Sequence, residues 1–152
     1  MPLAAAALFG VFVGGAATLT LVAGRQSPAP IADAQPPVVL STAALDPLPA
    51  GGRDTRGTGS VDLEKVGDSR VLGVSTAGLE DTDGYYEVWL IDPRTMDMIS
   101  LGSIEPGDQV VVLPIPSTVD LNKYSLVDVS DEPVNGDPTH SKVSVLRGQL
   151  RA

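Results

Sequence analysis

Residues 2–23 read PLAAAALFGVFVGGAATLTLVA, a run of 22 residues with no charge and no strongly polar side chain. A bilayer-spanning helix needs about 20 such residues, whereas the apolar part of a secretory signal is about 7–15 long and follows a basic start. Nothing basic precedes this run, and Leu21-Val22-Ala23 is a poor match to a small-residue cleavage site. The expectation is a transmembrane helix over residues 1–24. A span starting at residue 2 has no flank for the positive-inside rule to count, so a further domain is expected upstream of Met1. Ala6, Gly10, Gly14 and Thr18 recur every four residues as a stripe of small side chains. Membrane helices are rich in glycine and alanine in any case, and that plain reading is preferred to a helix-pairing face.

Charge and proline divide the rest of the chain. Residues 25–56 carry three acids and three bases, while residues 57–152 carry sixteen acids and seven bases, which is the whole net charge of −9. A domain this acidic repels phosphate backbones, so no nucleic-acid partner is expected. The chain has no cysteine and one histidine, which excludes disulfides, thiolate nucleophiles and multi-histidine metal centres. Residues 25–56 hold Pro28, Pro30, Pro36, Pro37, Pro47 and Pro49. No period of 2 or 3.6 residues survives these prolines, which remove amide donors and disfavour helix in the preceding residue. The stretch reads as a Pro/Ala-rich disordered linker.

From Gly57 the pattern becomes short β-type runs broken by turns. Val61–Val66, Arg70–Val74, Tyr85–Ile91, Met98–Gly102, Gln109–Ile115, Ser125–Ser130 and Lys142–Leu146 are separated by Gly67-Asp68, the acidic loop AGLEDTDG, Asp92-Pro93, Glu105-Pro106-Gly107-Asp108 and a proline-rich loop over residues 131–139. Seven short strands without a long amphipathic helical pattern predict an all-β fold, an antiparallel β-sandwich over residues 57–152. Its core must come from fourteen valines, ten leucines and four isoleucines, because Phe9 and Phe12 both lie in the apolar run. Trp89 is the one large anchor. It is expected in that core with its indole N–H bonded to a partner.

Signals for chemistry are few. Glu80-Asp81-Thr82-Asp83-Gly84 resembles part of a calcium loop, but an EF-hand register puts Leu79 and Leu90 at the first and closing ligand positions, and both fail. A second acidic group is Asp128, Asp131, Glu132 and Asp137. The two loops would share a cation only if the fold joined them, and solvated turns are the preferred reading. His140-Ser141 lacks the GxSxG context of a nucleophile elbow, so His140 is expected as an ordinary surface residue. No catalytic, cofactor-binding or metal residue is assigned, no cofactor is expected, and the chain is read as not an enzyme.

Three features in order then carry a family resemblance: Tyr86-Glu87-Val88-Trp89-Leu90; Leu101-Gly102 ending a short strand; and Ser130-Asp131-Glu132-Pro133 followed by Gly136, Pro138 and Thr139. Over residues 58–150 the chain resembles the extracytoplasmic C-terminal domain of membrane-bound anti-sigma-K-type factors. The resemblance implies a single-pass plasma-membrane protein with this domain outside. It implies a cytoplasmic domain, absent from this chain, that holds an extracytoplasmic-function sigma factor, and release of that factor through a site-1 protease and an intramembrane protease. The partners expected are therefore the lipid bilayer, the two proteases, and the sigma factor only through the upstream domain. A membrane-anchored surface module for a peptide, glycan or cell-wall component is the alternative.

Overall fold

A computed structural model describes residues 36–49, 57–107 and 110–151. The expected span and most of the expected linker lie outside the described residues. Among these residues, no helix is long and apolar enough to cross a membrane.

The described residues form eight strands in succession: β1 (Val38–Pro47), β2 (Thr58–Val66), β3 (Ser69–Ala77), β4 (Tyr85–Ile91), β5 (Met98–Ile104), β6 (Val111–Ile115), β7 (Leu126–Glu132) and β8 (Ser144–Gln149). All pair antiparallel in the order β5-β4-β7-β8-β1-β2-β3-β6. The all-β antiparallel expectation holds, and the seven strands read from the sequence correspond to β2–β8. The sandwich is corrected to one sheet rolled into a nearly closed barrel. Its two four-stranded halves are joined where the end of β1 crosses to β8, at Asp46↔Arg147 and Pro47↔Leu146. The outer strands β5 and β6 approach one another, with Leu113 of β6 packed over Gly102 of β5.

The linker is corrected too, because Val38–Pro47 is a strand. It pairs with β2 from Val38↔Lys65 to Leu45↔Gly59. The prolines that hid it flank it instead of interrupting it: Pro36 and Pro37 precede β1, and Pro47 is its last residue. Proline is tolerated at those places because a strand end can forgo a ladder donor. Between them, Leu45 is buried while Thr42 and Ala44 on the other face are exposed.

Inside the barrel the alternation of each strand delivers branched aliphatics to one face. Leu45, Val61, Leu63, Leu72, Val74, Val88, Leu90, Val127, Val129 and Leu146 form the centre of the core. One end is plugged by Val119 and Leu121 from the loop before β7. Arg70 at the start of β3 fixes that loop, donating from Nη2 to the carbonyls of Pro116, Ser117 and Val119 at 3.4, 3.3 and 2.8 Å.

Candidate functional site

Strand β4 is buried on both faces. Tyr86, Val88 and Leu90 point into the barrel, whereas Trp89, 6 % exposed, lies outside the core cluster on the outer face. The expectation of a buried tryptophan holds, but its placement in the core does not. The neighbouring strand β7 shows the same division: Val127 and Val129 face inward, and Asp128, Ser130 and Glu132 face outward. These three polar side chains are nonetheless buried. The chain after β7 folds back over them and sets His140 and Ser141 against Trp89, with the imidazole and indole centroids 5.1 Å apart.

Burial of this much polarity is tolerable only if each group is bonded. Trp89 Nε1 donates to Ser130 Oγ at 2.9 Å, and Ser130 Oγ donates to Glu132 Oε1. The Glu132 carboxylate also accepts the Ser141 backbone N–H, at 3.0 Å on one oxygen and 2.8 Å on the other. Alongside runs a second set. Asp128 accepts from Arg147 Nε at 2.7 Å, from Ser144 Oγ at 2.7 Å, and from His140 Nε2 at 3.0 Å. His140 Nδ1 accepts the Lys142 N–H at 2.8 Å, which leaves the neutral ring with its proton on Nε2 facing Asp128. Lys142 has φ 70°, a left-handed backbone that a non-glycine residue adopts at a cost. The bond to Nδ1 helps hold it there.

The surface reading of His140 is therefore overturned. The side chain is 7 % exposed, a loop histidine buried because the loop turns inward. Both ring nitrogens are engaged, so neither is available to a nucleophile as a general base. Ser141 Oγ is turned away to accept the Val143 N–H. His140→Ala would leave Asp128 short of one donor and remove the ring that covers Trp89. The expected outcome is a loss of about 1–3 kcal/mol of stability, read as a lower melting temperature and a red-shifted Trp89 emission.

Above the network the fold does join the two acidic loops. An open groove of about 740 Å³ is lined by Asp81, Thr82 and Asp83 on one side and by Asp131, Asn135 and Asp137 on the other. Gly84 permits this approach, since a Cβ there would lie 1.9 Å from the Glu132 carbonyl oxygen. Two of the carboxylates are engaged, one across the groove and one within its own loop. Asp131 accepts from Thr82 Oγ1 at 2.6 Å, and Asp137 accepts both the N–H and the hydroxyl of Thr139. The Thr139 bonds hold the Asp137 carboxyl below the usual 3.8. Beside the groove, burial followed by the charges of Asp131, Glu80 and Asp81 raises the Tyr86 phenol above 10.0. It stays a donor, to the Glu80 carbonyl at 2.8 Å. Among the described residues, no three histidine, aspartate or glutamate side chains converge as a metal site requires.

A separate polar feature closes the opposite end of β4. Asp92 has no exposed side-chain surface, and its Oδ1 accepts the Arg94 N–H at 2.9 Å. That bond is the main cause of a carboxyl held below 3.8, against the opposing effect of burial. Its Oδ2 has no hydrogen-bond partner among the described residues, and Lys123 Nζ stands 3.9 Å away.

Trp89 is thus joined to Ser130 and Glu132, more than forty positions further along the chain, in one hydrogen-bonded series. Gly102 sits at the β5–β6 seam. The three sequence features that carry the resemblance all have structural roles. Comparison with known proteins agrees with it: the family model described as anti-sigma-K factor rskA, C-terminal, matches residues 1–143. No curated protein and no solved structure matches the chain.

Proposed function

Because the chain belongs to the anti-sigma-K factor C-terminal family, we propose that it is the membrane-anchored, extracytoplasmic regulatory part of an anti-sigma factor. The observation that carries this reading is the extent of the match, which begins at residue 1 and takes in the apolar run together with the β-barrel up to residue 143. The run and the barrel are then one unit of a regulatory family. Residues 2–23 supply a single span, the barrel stands outside the membrane, and a sigma factor is held by a domain upstream of Met1.

In this reading the barrel restrains proteolysis. An intramembrane protease must open a helix to reach a peptide bond, and a folded outer domain denies it access until a first cut is made. Strand β1 narrows where that cut falls. Residues 38–47 are hydrogen-bonded within the sheet, so the first cut belongs to the part of residues 25–56 outside this strand. The second falls in the span near Gly14, where Gly10, Gly14 and Gly15 each weaken helix by up to about 1 kcal/mol relative to alanine.

The test tracks fragment sizes of the full-length protein in cells. Replacing Gly10, Gly14 and Gly15 with leucine should slow the second cut and spare the first. Normal cleavage of the leucine variant within the span sinks this role for the glycines. Recovery of the protein in the soluble fraction after alkaline carbonate washing sinks the membrane reading.

A further inference from the structure

We propose that residues 140–143 form a proton-operated strap: protonation of His140 frees the backbone of Ser141–Val143 from the outer face of the barrel, while the imidazole itself stays on Asp128. The proposal stands on the geometry of the buried network and is independent of the membrane reading.

The ring is held by two bonds of opposite kind. A backbone N–H can only donate, so the 2.8 Å contact from Lys142 N makes His140 Nδ1 an acceptor. The ring proton is then on Nε2, which faces Asp128 Oδ2 at 3.0 Å. A second proton must go to Nδ1, where it meets the Lys142 N–H donor against donor. The two bonds respond in opposite directions. Toward Asp128 a neutral donor becomes a charged one and the bond strengthens. Toward Lys142 the bond is lost. The ring keeps its seat and the loop is released.

Lys142 is poorly placed to absorb that loss, because its φ of 70° is a left-handed conformation that needs support. Its neighbours depend on it. On one side the Ser141 N–H is given to the Glu132 carboxylate. On the other, Val143 donates to Ser141 Oγ at 3.1 Å and its carbonyl accepts the Asp131 N–H at 2.9 Å. An open strap accommodates the added proton better than a closed one, so acid shifts the balance toward opening.

The surroundings of the ring assign the response to His140. From β7 it meets Asp128 and Glu132, and from β8 Arg147, bonded to Asp128 at 2.7 Å. The strap itself brings Lys142. β4 presents Trp89, 5.1 Å away between centroids, with Glu87 and Tyr85 further along the same face. Asp81, Asp83, Asp131 and Asp137 line the adjoining groove. Carboxylates, phenols, lysine and arginine ordinarily titrate outside about pH 5–8. Burial moves the Tyr85 and Tyr86 phenols further up, and the Thr139 bonds move the Asp137 carboxyl further down. Histidine is the side chain that ordinarily titrates inside that range, and the chain has one.

That single histidine gives unambiguous imidazole nitrogen signals. The isotope-labelled full chain in detergent micelles would be titrated from about pH 8 to 5, with amide hydrogen exchange followed in parallel and corrected for its intrinsic pH dependence. The expected result is that protection at Ser141–Val143 falls about five-fold or more, with the midpoint of the imidazole signals, while β4 and β7 stay protected. His140→Gln, which does not titrate, should abolish the step. If that variant does not fold, the coincidence of midpoints in the native chain decides. Strap protection that stays flat while the imidazole titrates overturns the proposal. So does an imidazole that remains neutral until β4 and β7 lose protection as well. A step that persists in folded His140→Gln would assign it to the carboxylates and overturn the role of His140.

Discussion

A fragment beginning at Gly57 should not fold, whereas one beginning at Pro36 should give a cooperative β-type melt. The difference is β1, which a boundary drawn from proline content would discard. β1 is an interior strand of the sheet order, paired with β2 along Val38–Leu45 and with β8 at Asp46 and Pro47. Without it, the four-stranded half β5-β4-β7-β8 loses its only ladder to the other half among the described residues. Leu45, 2 % exposed, takes with it about 1.5–3 kcal/mol of apolar burial. Its removal uncovers Leu146, Gly59 and Gly148, against which it packs. Gly148 shows how closely β1 is seated, since a Cβ there would fall 2.0 Å from the Ala44 carbonyl oxygen.

A domain of this size has about 5–15 kcal/mol in total, and losing a central strand exceeds what it can spare. Far-UV circular dichroism and amide dispersion of the two fragments would measure the difference. A peptide of residues 36–49 added in trans should restore the fold of the shorter one by strand addition. A cooperative melt of the shorter fragment alone would show that β1 is dispensable.

What the sequence revealed and concealed has a common physical origin. The run Tyr85–Ile91 was legible because it is long, aromatic and branched, and the Gly67-Asp68 turn because glycine there takes φ 60°. β1 was hidden because its evidence is one buried leucine and one half-buried alanine between prolines, and the surface it fills is made by β2 and β8, far off in the chain. The site was hidden more deeply. Val127–Ser130 alternates apolar and polar residues, and that phase by itself assigns Asp128, Ser130 and, two further on, Glu132 to solvent. Only the return of residues 139–143 over that face reverses the assignment. One signal did point there. Trp89 sits out of phase with the inward residues Val88 and Leu90, and a tryptophan on the outer face of a sheet implies that something covers it.

Trp89 is accordingly the residue whose loss should cost most. Trp89→Ala should destabilise the domain by about 3–5 kcal/mol, enough to unfold a large fraction of it at physiological temperature. The cost is not that of a core cavity alone. The indole is the floor on which His140 rests, at 5.1 Å between centroids, and the donor that begins the chain through Ser130 to Glu132 and the Ser141 backbone. Removing it leaves Ser130 without its donor and loosens the loop that buries Asp128 and Glu132.

Packing and hydrogen bonding can be separated. Trp89→Phe keeps most of the ring and loses only the N–H, and should cost about 1–3 kcal/mol. Ser130→Ala removes the same bond from the other side. In a double-mutant cycle the Phe and Ala changes should therefore be strongly non-additive. Chemical denaturation of the four proteins measures this coupling. Additive losses would mean that the indole acts by packing alone, and that the link between the tryptophan strand and the glutamate loop carries no energy of its own.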